Sequence, residues 1–221
     1  MGNSKKRIFL TGASGNMGQH GMEEFLQRED RFEITALVLP TEKDRQIMKP
    51  YINRGVNVIW GDLICYEDVL EGVKGADYVL HVGGMVSPLA DTMPELTMKV
   101  NVEGAKNIVR AVQAQPDPDH IKLVYIGTVA QTGNRPAPIH WGRVGDPIKI
   151  STFDTYALSK TMAEQLIVES GLKNCNQLQS MLHFHHHKLT KVPICYRSIL
   201  YYQEYTMYQL ELCCKRNNLA T

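Results

Sequence analysis

Apolar residues in this chain fall into short dense runs, separated by longer stretches in which they recur every three or four positions. Arg7–Thr11 (RIFLT) is apolar and β-branched and breaks at Gly12, which reads as a buried strand feeding a turn. Further strands are expected over Glu33–Leu39, Val56–Trp60, Tyr78–Val82 and Lys122–Ile126. Between them, Met17–Gln27 carries Met22, Phe25 and Leu26 near one helical face. A charged helix is expected from Glu42, and a short one over Tyr66–Val73. A long helix is expected from Met93 to Gln113, with Pro94 in its first turn and Leu96, Val100, Ile108 and Val112 in helical register. Gln131–Lys149 is irregular and rich in Pro and Gly, and another helix starts near Thr155.

Strands that alternate with helices form βαβ units and a parallel sheet. These strands are near-continuous apolar runs, as expected when helices cover both faces of the sheet. The fold class is therefore α/β, a Rossmann-type doubly wound parallel sheet over residues 1–173. Residues 174–221 change character: they are rich in Gln, His, Tyr and Cys, without glycine and with weak periodicity. They read as an atypical, poorly ordered tail with at most a partial sixth strand over Ile194–Tyr202, and as a truncated or frame-altered C-terminus. A sheet without its last strand would leave an apolar edge unpaired, so aggregation or a homodimer through that edge is expected.

The chain of 221 residues can bury one sizeable core, and its net charge of +1 gives no electrostatic pointer to nucleic acid. Lys5-Lys6-Arg7 runs straight into a strand and reads as its solvated start. No run reaches the ~20 apolar residues of a membrane helix, and no signal-peptide stretch precedes the first strand. Met1-Gly2 is followed by Lys6 where a myristoylation motif needs Ser or Thr. Cys65, Cys175, Cys195, Cys213 and Cys214 lack C-x-x-C spacing, which suits free thiols in a cytoplasmic setting.

Two strings carry chemistry. Thr11-Gly12-Ala13-Ser14-Gly15-Asn16-Met17-Gly18 lies directly after the first strand and opens a helix. Gly12 permits a tight turn, Gly15 close approach of phosphate oxygens, and Gly18 close packing of helix on sheet, while the helix N-terminus offers free N–H groups to a pyrophosphate. Ser14, Asn16 and Met17 fill the loop and count with the glycines as cofactor-binding. The alternative for such a loop is a purely structural turn. Where the second strand ends, an acid would favour NAD and an arginine NADP, but the chain reads Leu39-Pro40-Thr41, so the cofactor is NAD or NADP. Asp62, past the third strand, is either an adenine contact or a turn residue.

The second string is Tyr156-Ala157-Leu158-Ser159-Lys160. Tyr156 and Lys160, four apart on a helix, share one face. An ammonium beside the phenol stabilises phenolate and lowers a pKa that is otherwise about 10. Tyr156 then exchanges a proton while hydride moves at the adjacent carbon. Thr128, past the fifth strand, lies at the carboxyl edge where open α/β sheets bind ligands; it either holds a substrate oxygen or caps a turn. His81 reads as a packing or hydrogen-bonding residue. Ser87-Pro88 and the loop with His140, Trp141 and Arg143 are either substrate contacts or surface. His183, His185, His186 and His187 lack ordered ligand spacing, so no metal site is assigned.

Over Arg7–Leu172 the chain resembles an extended short-chain dehydrogenase/reductase of the NAD-dependent epimerase/dehydratase family. The resemblance rests on TGASGNMG, Gly61-Asp62-Leu63, HVGG (His81–Gly84), KVNVEGAKNIVRAV, VYIGTVAQTG and YALSK. It implies Thr128, Tyr156 and Lys160 as the catalytic set, with Lys160 also holding the cofactor ribose. It adds Asp62, Leu63, Val82, Gly83 and Gly84 to the cofactor-binding residues and puts Asn101 in the family's structural asparagine position. Gly83-Gly84 stands where the family more often has two alanines, and Gly127 where a serine is frequent. The implied substrate is a small molecule (nucleotide sugar, sterol or small carbonyl compound), with no nucleic-acid or membrane partner. The alternative is a catalytically inactive dinucleotide-binding module.

Overall fold

The computed structural model describes residues 4–132 and 153–178. The readings of His140, Trp141, Arg143, the histidine cluster and a strand over 194–202 lie outside the described residues.

Six parallel strands form one sheet in the order β3-β2-β1-β4-β5-β6. They are β1 (Lys6–Thr11), β2 (Phe32–Val38), β3 (Asn57–Trp60), β4 (Tyr78–His81), β5 (Lys122–Ile126) and β6 (Cys175–Leu178). The strand order reverses between β1 and β4, which opens a crevice at their carboxyl ends.

Alternate residues of each strand serve opposite faces. Phe9, Val79, Leu123 and Tyr125 point to one face, which is closed by α3 (Tyr66–Val73), α6 (Gly104–Gln113) and α7 (Thr155–Glu169). Ile8, Leu10, Leu80 and Val124 point to the other, which is closed by α1 (Asn16–Leu26) and α2 (Glu42–Ile52). Both faces are covered, which explains the unbroken apolar runs. Phe9 is fully buried, and a Cβ on Gly72 of α3 would lie 2.0 Å from its ring. Glycine at 72 thus lets α3 lie directly on β1.

Two expectations need correction. The helix expected from Met93 to Gln113 is broken into α5 (Pro94–Met98), a π-turn over Lys99–Glu103, and α6, with a short α4 (Leu89–Thr92) ahead of it. The extra residue in the π-turn rotates Asn101 inward. The free sheet edge at β5 is also absent: Leu123 to Ile126 pair with Cys175 to Leu178, and Leu123 N–H donates to the Asn174 carbonyl at 3.0 Å. The sixth strand therefore begins two residues past the expected domain boundary.

Candidate active site

The phosphate loop fits the crevice because three glycines close it tightly. Gly12 has φ +71°, and a Cβ there would fall 2.7 Å from Gly83 Cα. A Cβ on Gly18 would fall 2.1 Å from the Gly12 carbonyl oxygen and 2.6 Å from Ala13 Cα. Gly15 N–H donates to that same carbonyl at 3.0 Å. Gly15 and Asn16 stand exposed at the mouth, with Ser14 and Met17 half-buried beside them.

The N-terminus of α1 is electrostatically open. Gly15 caps it without a side-chain hydrogen bond, and its first turn holds no acidic residue. Three other helices differ. Thr41 caps α2, with Glu42 and Asp44 in its first turn; Glu67 and Asp68 start α3; Asp154 caps α7. An uncapped helix end with free N–H groups is suited to an anion.

Thr11 and His81 brace this crevice from below. Thr11 Oγ1 accepts from Gly83 N–H at 3.0 Å and lies 2.9 Å from His81 Nδ1. The hydroxyl donates to Nδ1 when the ring proton is on Nε2, and accepts from Nδ1–H through its second lone pair in the other tautomer. Burial pulls the His81 pKa down to about 3, and the Lys160 charge adds to this. His81 is thus a neutral hydrogen-bonding residue, consistent with its sequence reading.

Leu63 packs over Gly83 and Gly104, where added Cβ atoms would lie 2.9 and 3.3 Å from its side chain. The Leu63 carbonyl accepts from Asn107 Nδ2 at 2.9 Å. Asp62 Oδ1 accepts from Ile64 N–H at 3.1 Å, a turn interaction that leaves the other carboxylate oxygen for a further partner. Val82 is half-buried and packs on the α1/α2 face, and Gly84 is exposed next to the Asn101 amide oxygen, which a Cβ there would meet at 2.8 Å.

Asn101 joins the loop after β4 to α7. Its Oδ1 accepts from Met85 N–H at 2.7 Å, and its Nδ2 donates to the Met85 carbonyl at 3.0 Å and to Ser159 Oγ at 2.9 Å. Ser159 Oγ donates in turn to the Tyr156 carbonyl at 2.8 Å.

Thr128 and Tyr156 face each other at the carboxyl edge, while Lys160 Nζ lies over the Tyr125 ring, 4.1 Å from its centroid. Thr128 is buried; its Oγ1 accepts from Ala130 N–H at 3.3 Å and faces the Tyr156 phenol. The expected lowering of the Tyr156 pKa is not found. Burial raises it, the Thr128 hydroxyl pulls the other way, and Asp154 adds to the rise. Lys160 is 5% exposed; burial pulls its ammonium down to about 7, against the pull of Glu164 one turn along α7. Gln131, which the sequence reading passed over, is fully buried and donates from Nε2 to Glu164 Oε2 at 2.6 Å. Its Oε1 finds no partner among the described residues. No local pattern marks Gln131, and Thr11 opens the glycine string without showing its own role there, because both roles depend on neighbours far away in sequence.

Among the described residues no helix is long and apolar enough to cross a membrane.

A profile of the 3-beta hydroxysteroid dehydrogenase/isomerase family matches residues 9–183. The chain is 28% identical over 170 residues to a mouse protein named 3 beta-hydroxysteroid dehydrogenase type 7, covering 76% of this chain and 45% of the mouse protein. In fold it is similar to the UDP-Glc/GlcNAc 4-epimerase of Campylobacter jejuni, with TM-score 0.67 and 17% identity over 85% of this chain and 59% of that one. It is also similar to the UDP-glucose 4-epimerase of Thermus thermophilus in complex with NAD, with TM-score 0.63 and 23% identity over 78% and 53%. The chain spans about half the length of these relatives.

Proposed function

Because the chain belongs to the 3-beta hydroxysteroid dehydrogenase/isomerase family, we propose that it is the dinucleotide-binding part of an NAD(P)-dependent oxidoreductase acting on a secondary alcohol or ketone. The open, glycine-cradled N-terminus of α1 fits a pyrophosphate. A bound nicotinamide dinucleotide would supply the hydride acceptor or donor. NAD is the favoured form, since a structural neighbour carries it; Ser14, Asn16, Met17, Leu63, Val82, Gly83 and Gly84 line the same crevice, with Asp62 toward the adenine end.

The chain's own residues handle the proton. In the oxidation direction Tyr156 takes the proton of the substrate hydroxyl as hydride leaves the same carbon; in reduction it returns that proton to the carbonyl oxygen. Thr128, which faces the phenol, holds the substrate oxygen against it. Lys160 holds the ribose hydroxyls. A sterol carbinol is the preferred substrate class, on the family match; nucleotide sugars are the class named for the epimerases that share the fold. A cytoplasmic setting belongs to the same reading.

The observation that carries this reading is that Thr128 faces the Tyr156 phenol at the same sheet edge as the glycine cradle. The test is fluorescence titration with NADH and NADPH, followed by a sterol and carbonyl panel that compares Tyr156→Phe with the parent. Equal turnover by both ends the catalytic assignment.

A further inference from the structure

Lys160 is gripped at both ends by one side chain. Its Nζ lies 4.1 Å from the centroid of the Tyr125 ring, and the Tyr125 hydroxyl donates to the Lys160 backbone carbonyl at 3.2 Å. Tyr125 is itself immobile: it is 1% exposed, packed in the core on β5, with its ring centroid 5.6 Å from that of His81. His81 is tied through Thr11 to the phosphate loop. A continuous buried stack therefore runs from the crevice floor to the ammonium.

The geometry points to Tyr125 as a positioning residue for Lys160: its ring supports the ammonium, its hydroxyl holds the carbonyl of the same residue, and β5 thereby sets where Lys160 meets the dinucleotide. This inference rests on the reading of Lys160 as a dinucleotide-holding residue. An ammonium over an aromatic face is attracted by the ring's negative quadrupole, most strongly where water is excluded. Burial alone would favour a neutral amine that swings freely. The ring opposes both tendencies. The titratable groups around Lys160 are His81 on β4, Tyr125 on β5, and Tyr156 and Glu164 on its own helix. His81 is neutral and Glu164 favours the charged amine.

The test replaces Tyr125 in the full chain by Phe and then by mono-, di- and trifluorophenylalanine. These rings keep nearly the same shape while the negative face weakens stepwise, so a merely structural role would not follow the series. The readout is the pH titration of the Lys160 Cε resonance in ligand-free protein, followed by carbon-13 NMR. The expected result is a titration point that moves down with each fluorine, by about one unit in all, a tenfold shift toward neutral amine. A titration point unchanged along the series overturns the inference. NADH binding provides the second arm, with Lys160→Met, Tyr125→Leu and the double variant. Each single change should weaken binding several-fold, and the double variant should bind no worse than either single. Full additivity overturns the inference. If Lys160→Met binds NADH as well as the parent while the fluorine series still shifts, the positioning stands and the reading of Lys160 as a dinucleotide ligand falls.

Discussion

Asn101 and Ser159 are joined by a 2.9 Å hydrogen bond, although one lies in a π-turn and the other on α7, 58 residues later. Ser159 then bonds the carbonyl of Tyr156, so the start of the helix that bears the phenol is referenced to the loop after β4. Helix α7 is thereby aimed as well as packed.

Replacing Asn101 by alanine should therefore do more than remove volume. It strands the Met85 N–H and carbonyl and takes a partner from Ser159. Buried groups left unpaired cost about 1–3 kcal/mol each, and some will be rescued by water, so urea unfolding should show a loss of about 2–4 kcal/mol. Asn101→Asp keeps the acceptor for Met85 N–H but loses both donated bonds, and should be nearly as damaged. A loss below about 0.5 kcal/mol for both variants would show that the bridge carries no strain-free load.

The phosphate loop gives a contrast among neighbouring glycines. Alanine at Gly18 puts its Cβ against backbone atoms, the Gly12 oxygen at 2.1 Å, and backbone cannot move aside. Alanine at Gly12 meets Gly83 Cα at 2.7 Å from a φ of +71°. Either change should weaken NADH binding at least about tenfold, or ~1.4 kcal/mol. Gly21, on the same α1, has nothing within 4 Å of an added Cβ. Gly21→Ala should leave binding unchanged and raise stability by about 0.5–1 kcal/mol through helix propensity. Fluorescence titration and thermal melts of the three variants check this.

These contrasts also show how far the chain could be read before folding. β5 and α3 lie where their apolar runs put them, and β1 and β4 differ from the reading by one residue at one end. A run bounded by Gly or Pro is a local signal that parallel-sheet burial does not override. The π-turn was invisible because Leu96, Val100, Ile108 and Val112 fit a straight helix equally well; only the need to turn Asn101 inward decides between them. β6 was missed because CNQL carries no run of apolar residues, as suits an edge strand paired on one side. Thr128, Tyr156 and Lys160 were legible as a spacing on known kinds of element. Tyr125 and Gln131 were not, since a strand aromatic and a loop amide look the same wherever they point.

Acid should unfold the protein through His81. Its folded pKa of about 3 lies below the ordinary value of 6.5, so between these limits the unfolded chain binds the extra proton. Its contribution to stability is complete above pH 6.5 and is lost as pH falls toward 3, with a slope of at most about 1.4 kcal/mol per pH unit. Asp77, whose lowered pKa reflects its bonds to Lys6, Arg7 and His120 working against burial, adds its own loss only below the carboxylate range. Among the described residues the histidine therefore dominates from about pH 4.5 to 6, below the range where Lys160, at about 7, adds its own change. His81→Asn, which can still hydrogen-bond Thr11, should flatten the stability curve there; an unchanged slope would place the acid-sensitive group elsewhere.

Thr11 is the residue on which the loop and the strand beneath it both depend, and its hydroxyl can be separated from its methyl group. Thr11→Val keeps shape and β propensity but removes the atom that accepts from Gly83 and approaches His81. Thr11 is fully buried, so water does not readily replace it. Two buried partners are left without a bond, and the expected destabilisation is about 2–3 kcal/mol. Thr11→Ser retains the oxygen and loses one methyl, which costs nearer 1 kcal/mol. Because Gly83 N–H fixes the wall against which Gly12 packs, the valine variant should also bind NADH more weakly than the serine variant when both are measured well below their melting temperatures. If valine matches serine in stability and in NADH affinity, the hydroxyl is incidental, and the crevice is held by packing of Gly12 on Gly83 alone.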